Sequence, residues 1–171
     1  SHKLVIEDML GMSYAKPAAH MQEYLSVIGP LLRGEAVDFQ GEQYSAKVAL
    51  DIPGATAVPL LVAALGPRML EIAGTLADGT STWVTGPKTL EDYIIPTITR
   101  AAEAAGKSAP RIVAGLPIAV TNDVDGAREK IAKDLKVYGM LPSYRAMLDR
   151  EGVDGPADIA LVGDEATVRA G

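Results

Sequence analysis

Gly66-Pro67-Arg68 follows directly on the apolar run PLLVAAL (59–65), and the junction is the chain's best candidate for chemistry. A strand ending at Leu65 and a helix starting at Pro67 place the amides of Leu65, Gly66, Arg68 and Met69 at a helix N-terminus, where the positive end of the helix dipole attracts an anion. Gly66 permits close approach, and Pro67 has no amide to leave unpaired. The same residues also make an ordinary strand-to-helix turn. From spacing alone, that plainer reading is the stronger.

A second candidate is STWVTGPKTL (81–90), which sets the only tryptophan, Trp83, at a strand end beside the hydroxyls of Ser81, Thr82 and Thr85. A planar ring could pack there; packing of Trp83 beneath a neighbouring helix is an equal reading. TNDVDGAREK (121–130) lacks the oxygen-ligand spacing of a calcium loop, so Asn122 or Asp123 is read as a helix cap and no metal is assigned. His20 falls early in an amphipathic helix and reads as a partly exposed helix residue. Asp164-Glu165 reads as a cap followed by a first-turn acid. No nucleophile–base pair is visible, which suits a protein whose reactive group is a bound cofactor.

The elements that must position these residues follow from periodicity. Between Lys16 and Arg33, Met21, Tyr24, Leu25, Ile28, Leu31 and Leu32 recur at helical spacing, with Pro17 in the first turn and a bend expected at Gly29-Pro30. EAVDFQGEQYSA alternates around Gln40-Gly41 and predicts a small hairpin. Strand and helix then alternate: strand 59–65, helix 67–77, strand 79–85, helix 89–105, strand 111–120, helix 123–138. Gly115 and Pro117 predict a bulge or a close backbone approach inside the third strand. Consecutive βα units mean an open doubly wound sheet or part of a (βα)8 barrel, and in both, ligands gather at the carboxyl ends of the strands.

Composition bounds the rest. The 171 residues suffice for a single domain, 1–171, and nearly half are apolar. A net charge of −6 without a basic cluster argues against nucleic acid. The absence of cysteine excludes disulfides and thiolate chemistry and suits a cytoplasmic setting. No apolar run reaches the ~20 residues of a membrane span. The start without methionine and the helix opening at VGDEATVRAG make the sequence read as a piece of a longer chain.

The succession SHKLVIEDMLG, PAAHMQEYLSVIGPLLRGEAVDFQGEQY, VPLLVAALGPRMLEIAGTLADGTSTWVTGP, RIVAGLPIAVTNDVDGAR and YRAMLDREGVDGPADIALVGD resembles the luciferase-like monooxygenase superfamily. Within it, the chain is most similar to the coenzyme F420-dependent oxidoreductases related to methylene-tetrahydromethanopterin reductase. The resemblance implies an α/β fold, a partial (βα)8 TIM barrel running from just after strand four to the helices following strand seven. Residues 59–65, 79–85 and 111–120 would be strands five, six and seven, with strands one to four and strand eight absent.

It implies hydride transfer between coenzyme F420 and a small organic substrate, with FMN as the alternative cofactor. Superfamily habit suggests a homodimer or larger homo-oligomer. The cofactor-binding residues it implies are Ser1, His2, Ala63, Ala64, Leu65, Gly66, Pro67, Arg68, Thr82 and Trp83; it assigns no catalytic residue. The resemblance reverses the preference at Gly66-Pro67 toward an anion site. Three competing readings stand beside it: a flavin-binding protein without turnover, a barrel fragment without activity, and a Rossmann dehydrogenase. LGPRML argues against the last, since it supplies one glycine where three are needed.

Overall fold

A computed structural model describes residues 2–171. The chain divides into two compact units, one ending at Leu60 and one starting at Leu61.

In the first unit, a short π-helical segment, Leu4–Met9, precedes α1, Pro17–Leu32. Pro17 takes the first turn and Lys16 enters it in a left-handed conformation, φ 51°. The helix continues through Pro30. The amides of Arg33 and Gly34 then fold back on the carbonyls of Pro30 and Leu31, ending it two residues later. β1, Val37–Gln40, and β2, Ser45–Val48, form an antiparallel hairpin in which Gln40 faces Ser45. The turn predicted at Gln40-Gly41 lies slightly further on, at residues 41–44, closed by the Gly41 N–H on the Tyr44 carbonyl.

One carboxylate makes three of the bonds that tie α1 to that loop. Glu23 accepts the backbone amides of Glu42, Gln43 and Tyr44 at 3.0, 2.7 and 3.0 Å. These bonds, that of Gln43 foremost, hold its carboxyl below the ordinary carboxylate range. Beside it the Tyr44 hydroxyl and His20 Nε2 lie 2.6 Å apart, so His20 is an exposed helix residue with a partner in the hairpin.

The second unit repeats a parallel strand and a helix. β3 (Leu61–Val62), β4 (Gly79–Trp83) and β5 (Arg111–Gly115) form one parallel sheet in that order. α2, Pro67–Leu76, follows β3. A helical run follows β4: α3 (Pro87–Thr89), a π-helical stretch (Leu90–Ile94) and α4 (Ile95–Ala104). The predicted strand 59–65 shrinks to two residues. Only Gly79 and Thr80 stand opposite it, and the Thr80 hydroxyl takes over beyond, donating to the Val62 carbonyl at 2.8 Å and accepting the Ala64 amide at 3.3 Å. The predicted strand 79–85 stops at Trp83 because Val84 has φ 52°, which no strand residue adopts.

The predicted strand 111–120 is divided at Leu116-Pro117. Its first part is β5; its second, β6 (Ile118–Val120), pairs in parallel with β7 (Leu161–Gly163). Proline has no amide to carry the first ladder further. β7 corrects the expectation that no strand follows 111–120: three residues are too few to show a period in sequence. α8, Glu165–Ala170, follows it. The predicted helix 123–138 ends early as α5, Val124–Asp134; α6 (Lys136–Met140) and α7 (Pro142–Glu151) come after it.

Leu70, Ile72 and Ala73 of α2 and Ile98 and Ala102 of α4 are buried, with the two helices in close contact at Gly74. A Cβ there would lie 2.5 Å from the Ile98 carbonyl oxygen and 2.8 Å from Ala101 Cβ. Side chains alternate along β4, so Thr80 and Thr82 share a buried face while Ser81 and Trp83 look the other way.

Gly74→Ala sets two effects against each other. Helix propensity favours alanine by about 1 kcal/mol, whereas forcing a methyl against backbone costs about 1–3 kcal/mol. The variant is expected to melt at lower temperature; a higher melting temperature would show that α2 and α4 separate freely. For the hairpin clasp, a carboxylate with a lowered native pKa adds stability that is full above the ordinary carboxylate range and is lost as pH falls through the native value. Glu23→Gln should therefore speed hydrogen exchange at the amides of residues 42–44 at neutral pH, and the difference from wild type should vanish in acid. Equal exchange at neutral pH would remove Glu23 from this role.

Candidate functional site

Four helices of the second unit start directly behind a parallel strand, and each leaves amides that the helix itself cannot satisfy. Asp123 caps α5 by accepting the Gly126 amide at 3.0 Å. Asp164 caps α8 by accepting the Thr167 amide at 2.8 Å, a bond that holds its carboxyl below the ordinary range. Both aspartates stand where the sequence predicted caps. The other two starts are Gly-Pro pairs with nearly the same backbone: Gly66 has φ −78° and ψ 157°, and Gly86 has φ −75° and ψ 166°.

At the second pair the anion comes from far along the chain. Glu151, at the end of α7, accepts the amides of Lys88 at 3.1 Å and Thr89 at 2.7 Å. A Cβ at position 86 would lie 2.5 Å from one carboxylate oxygen, so a larger residue there would push the Glu151 carboxylate aside. At the first pair there is no capping side chain from Gly66, and nothing lies within 4 Å of where a Cβ on it would be. Three of the four starts carry a carboxylate of the chain; at the fourth, Gly66 supplies no cap and the space over it is clear of the described residues.

Around that opening, Ala64 is buried and fixed by the Thr80 hydroxyl, Ala63 is exposed, and Leu65 is half-buried. Pro67 occupies the first helical position, and Arg68 is exposed with its guanidinium 2.7 Å from Glu71. β4 separates the other two predicted residues. Thr82 is 3 % exposed on the Thr80 face, and its Oγ1 is buried without a hydrogen-bond partner. Trp83, on the opposite face, meets Tyr138 of α6 edge-on at 6.3 Å between ring centres. One flat ring therefore cannot lie along both side chains. Tyr144 continues the aromatic row from Tyr138 at 5.0 Å, and burial raises its hydroxyl pKa. Trp83 thus takes the packing role that the sequence left open and stays half-exposed.

His2 belongs to the first unit, where its carbonyl accepts the Ile6 amide and burial lowers its imidazole pKa. Ser1 lies outside the described residues. Ala63 to Arg68, with Thr82 and Trp83, all belong to the second unit. Among the described residues no cluster of His, Asp and Glu could hold a metal, and no helix is long and apolar enough to cross a membrane. Sequence reasoning missed Glu151 and Val84. The repeated Gly-Pro pair was a signal that two helix starts need acceptors, but nothing local pointed 62 residues ahead to Glu151.

Comparison with known proteins gives this architecture a relationship. The chain is 31% identical over 160 residues to a 5,10-methylenetetrahydromethanopterin reductase of Methanolobus tindarius, covering 91% of this chain and 48% of that protein. It is 30% identical over 156 residues to an F420-dependent glucose-6-phosphate dehydrogenase of Nakamurella multipartita, covering 88% and 44%. The solved structure of the coenzyme F420-dependent tetrahydromethanopterin reductase of Methanopyrus kandleri superposes with a TM-score of 0.64 at 26% identity, over 86% of this chain and 48% of that one. The chain spans about half the length of the curated relatives it matches. Its helices and parallel strands accordingly form part of a (βα)8 barrel, and with residues 1–170 matching the luciferase-like monooxygenase model, the chain belongs to that family.

Proposed function

We propose that this chain supplies the phosphate-side wall of a coenzyme F420 site in an oxidoreductase acting on a small organic substrate. The observation that carries the reading is the open helix start at Gly66 beside its twin at Gly86, which the Glu151 carboxylate fills. A chain of net charge −6 offers an anion no general attraction, so a phosphate needs a local one, and a helix start behind a strand supplies it. The names of the similar proteins, reductase and dehydrogenase acting with F420, support the choice of coenzyme.

In this reading the turn from Ala63 to Arg68 receives the coenzyme phosphate, and Thr80 holds that turn in place through Ala64. Trp83 borders the ring on the exposed face of β4. Thr82 offers a buried hydroxyl still lacking a partner. When bound, F420 supplies the hydride chemistry. The protein's part is to hold donor and acceptor in register, which by itself lowers the barrier. A homo-oligomer in the cytoplasm belongs to the same reading.

Gly66→Val provides the test, because the space over Gly66 is open and its φ suits any residue. In the full-length protein the variant should keep its fold, with a capping loss of about 1 kcal/mol at most. Its affinity for F420, followed by absorbance titration, should fall about tenfold or more through loss of a charge-assisted hydrogen bond. Unchanged affinity would move the phosphate elsewhere. Wild-type binding of FMN without F420 would overturn the choice of coenzyme.

A further inference from the structure

Val84 is an anomaly that the fold alone does not require. It is a β-branched residue with φ 52°, fully buried, immediately after Trp83. Such a conformation costs on the order of 1–3 kcal/mol and persists only where its surroundings over-determine it. Those surroundings are β5 on one side and α7 on the other. The Val84 amide donates to the Gly115 carbonyl at 3.1 Å. Its side chain packs in a cluster with Leu148 of α7 and Ile159, against which Trp83 also packs.

One turn beyond Leu148, α7 ends on the residues that follow the strained turn. Besides the two amide bonds of Glu151, the Thr89 hydroxyl donates to the Met147 carbonyl at 3.1 Å, and Lys88 Nζ to the Arg150 carbonyl at 3.3 Å. The Arg150 guanidinium lies 3.9 Å over the Tyr93 ring. Residues 83–89 are thus gripped at two points, Leu148 on Val84 and Glu151 on the amides of Lys88 and Thr89. Trp83 sits at the head of the gripped segment.

We propose that Glu151 is a positioning residue of the coenzyme site. Its carboxylate takes the place of a ligand anion at the Gly86 helix start, holds the Val84 turn in its strained form, and so fixes the orientation of Trp83. The inference rests on the coenzyme reading above only for the role given to Trp83; the grip of α7 on the turn is independent of it. It also gives the two Gly-Pro starts different tasks: one is left open for ligand, while the other is filled from within.

Trp83 is the only tryptophan of these 171 residues, so in the full-length, coenzyme-free protein, with every tryptophan outside them replaced by phenylalanine, the intrinsic fluorescence reads this place directly. Glu151→Ala should shift its emission to the red, raise quenching by acrylamide, and weaken F420 binding about tenfold through misplacement of the ring's neighbour. Glu151→Gln keeps one oxygen for the Thr89 amide but sets an NH2 group against the Lys88 amide, so it should show both changes at reduced size. Far-UV circular dichroism on both variants separates loss of orientation from loss of fold, and the Gln variant carries the test if the Ala variant unfolds. Unchanged emission and quenching in a folded Glu151→Ala protein would overturn the grip. A shifted emission with unchanged F420 affinity would overturn the link to the site. A wild type that binds no F420 while its Trp83 still responds to Glu151→Ala would sink the coenzyme reading and leave the grip standing.

Discussion

Amides at a helix start that have no acceptor within the helix are the constraint on which the second unit is built. A parallel strand must hand the chain to a helix through a short turn, and every such turn exposes donors that burial would make expensive. Asp123 and Asp164 answer the demand locally, from the residue before the helix. Glu151 answers it across the fold, and in doing so anchors the end of α7 to the start of α3. At Gly66 the residue before the helix supplies no capping side chain, and it is there that we propose the coenzyme phosphate binds.

The first unit uses the same chemistry for a different end. Glu23 offers its carboxylate to three consecutive amides of the hairpin loop, so a four-residue connection with a single backbone bond across it is held by a helix. In both units a side chain distant in sequence completes a loop, and the loop then needs little intrinsic preference for its shape. Val84 shows how far this goes: a residue ill suited to its backbone is kept there by Leu148, Ile159 and the Gly115 carbonyl.

How much of this could be read from sequence depended on the range of each interaction. α1 was legible because its apolar stripe and Pro17 are local, and α2 because Gly66-Pro67 is both turn and start. The caps at Asp123 and Asp164 were legible for the same reason. β7 and α7 were not: one is three residues long, and the other carries a weak stripe between proline and glycine. The ends of β3 and β4 were misjudged because apolar runs mark burial rather than pairing, and pairing stopped where Thr80 and Val84 intervened. At the site, the Gly-Pro turn was visible, whereas Thr80, Val84 and Glu151 act through contacts that no spacing rule encodes. The opposite facing of Thr82 and Trp83 followed from strand alternation once the strand's extent was known.

The break at Leu116-Pro117 has a mechanical consequence. One stretch of chain joins two ladders, giving five residue pairs to the side of β4 and only three to the side of β7. Pro117 contributes no amide to either, and its carbonyl begins the shorter ladder by accepting from Leu161. Of the two ladders this stretch makes, the one to β7 therefore has fewer bonds to break. Pro117 separates that ladder from the longer one, so opening the short ladder breaks none of the pairs of the Trp83 strand.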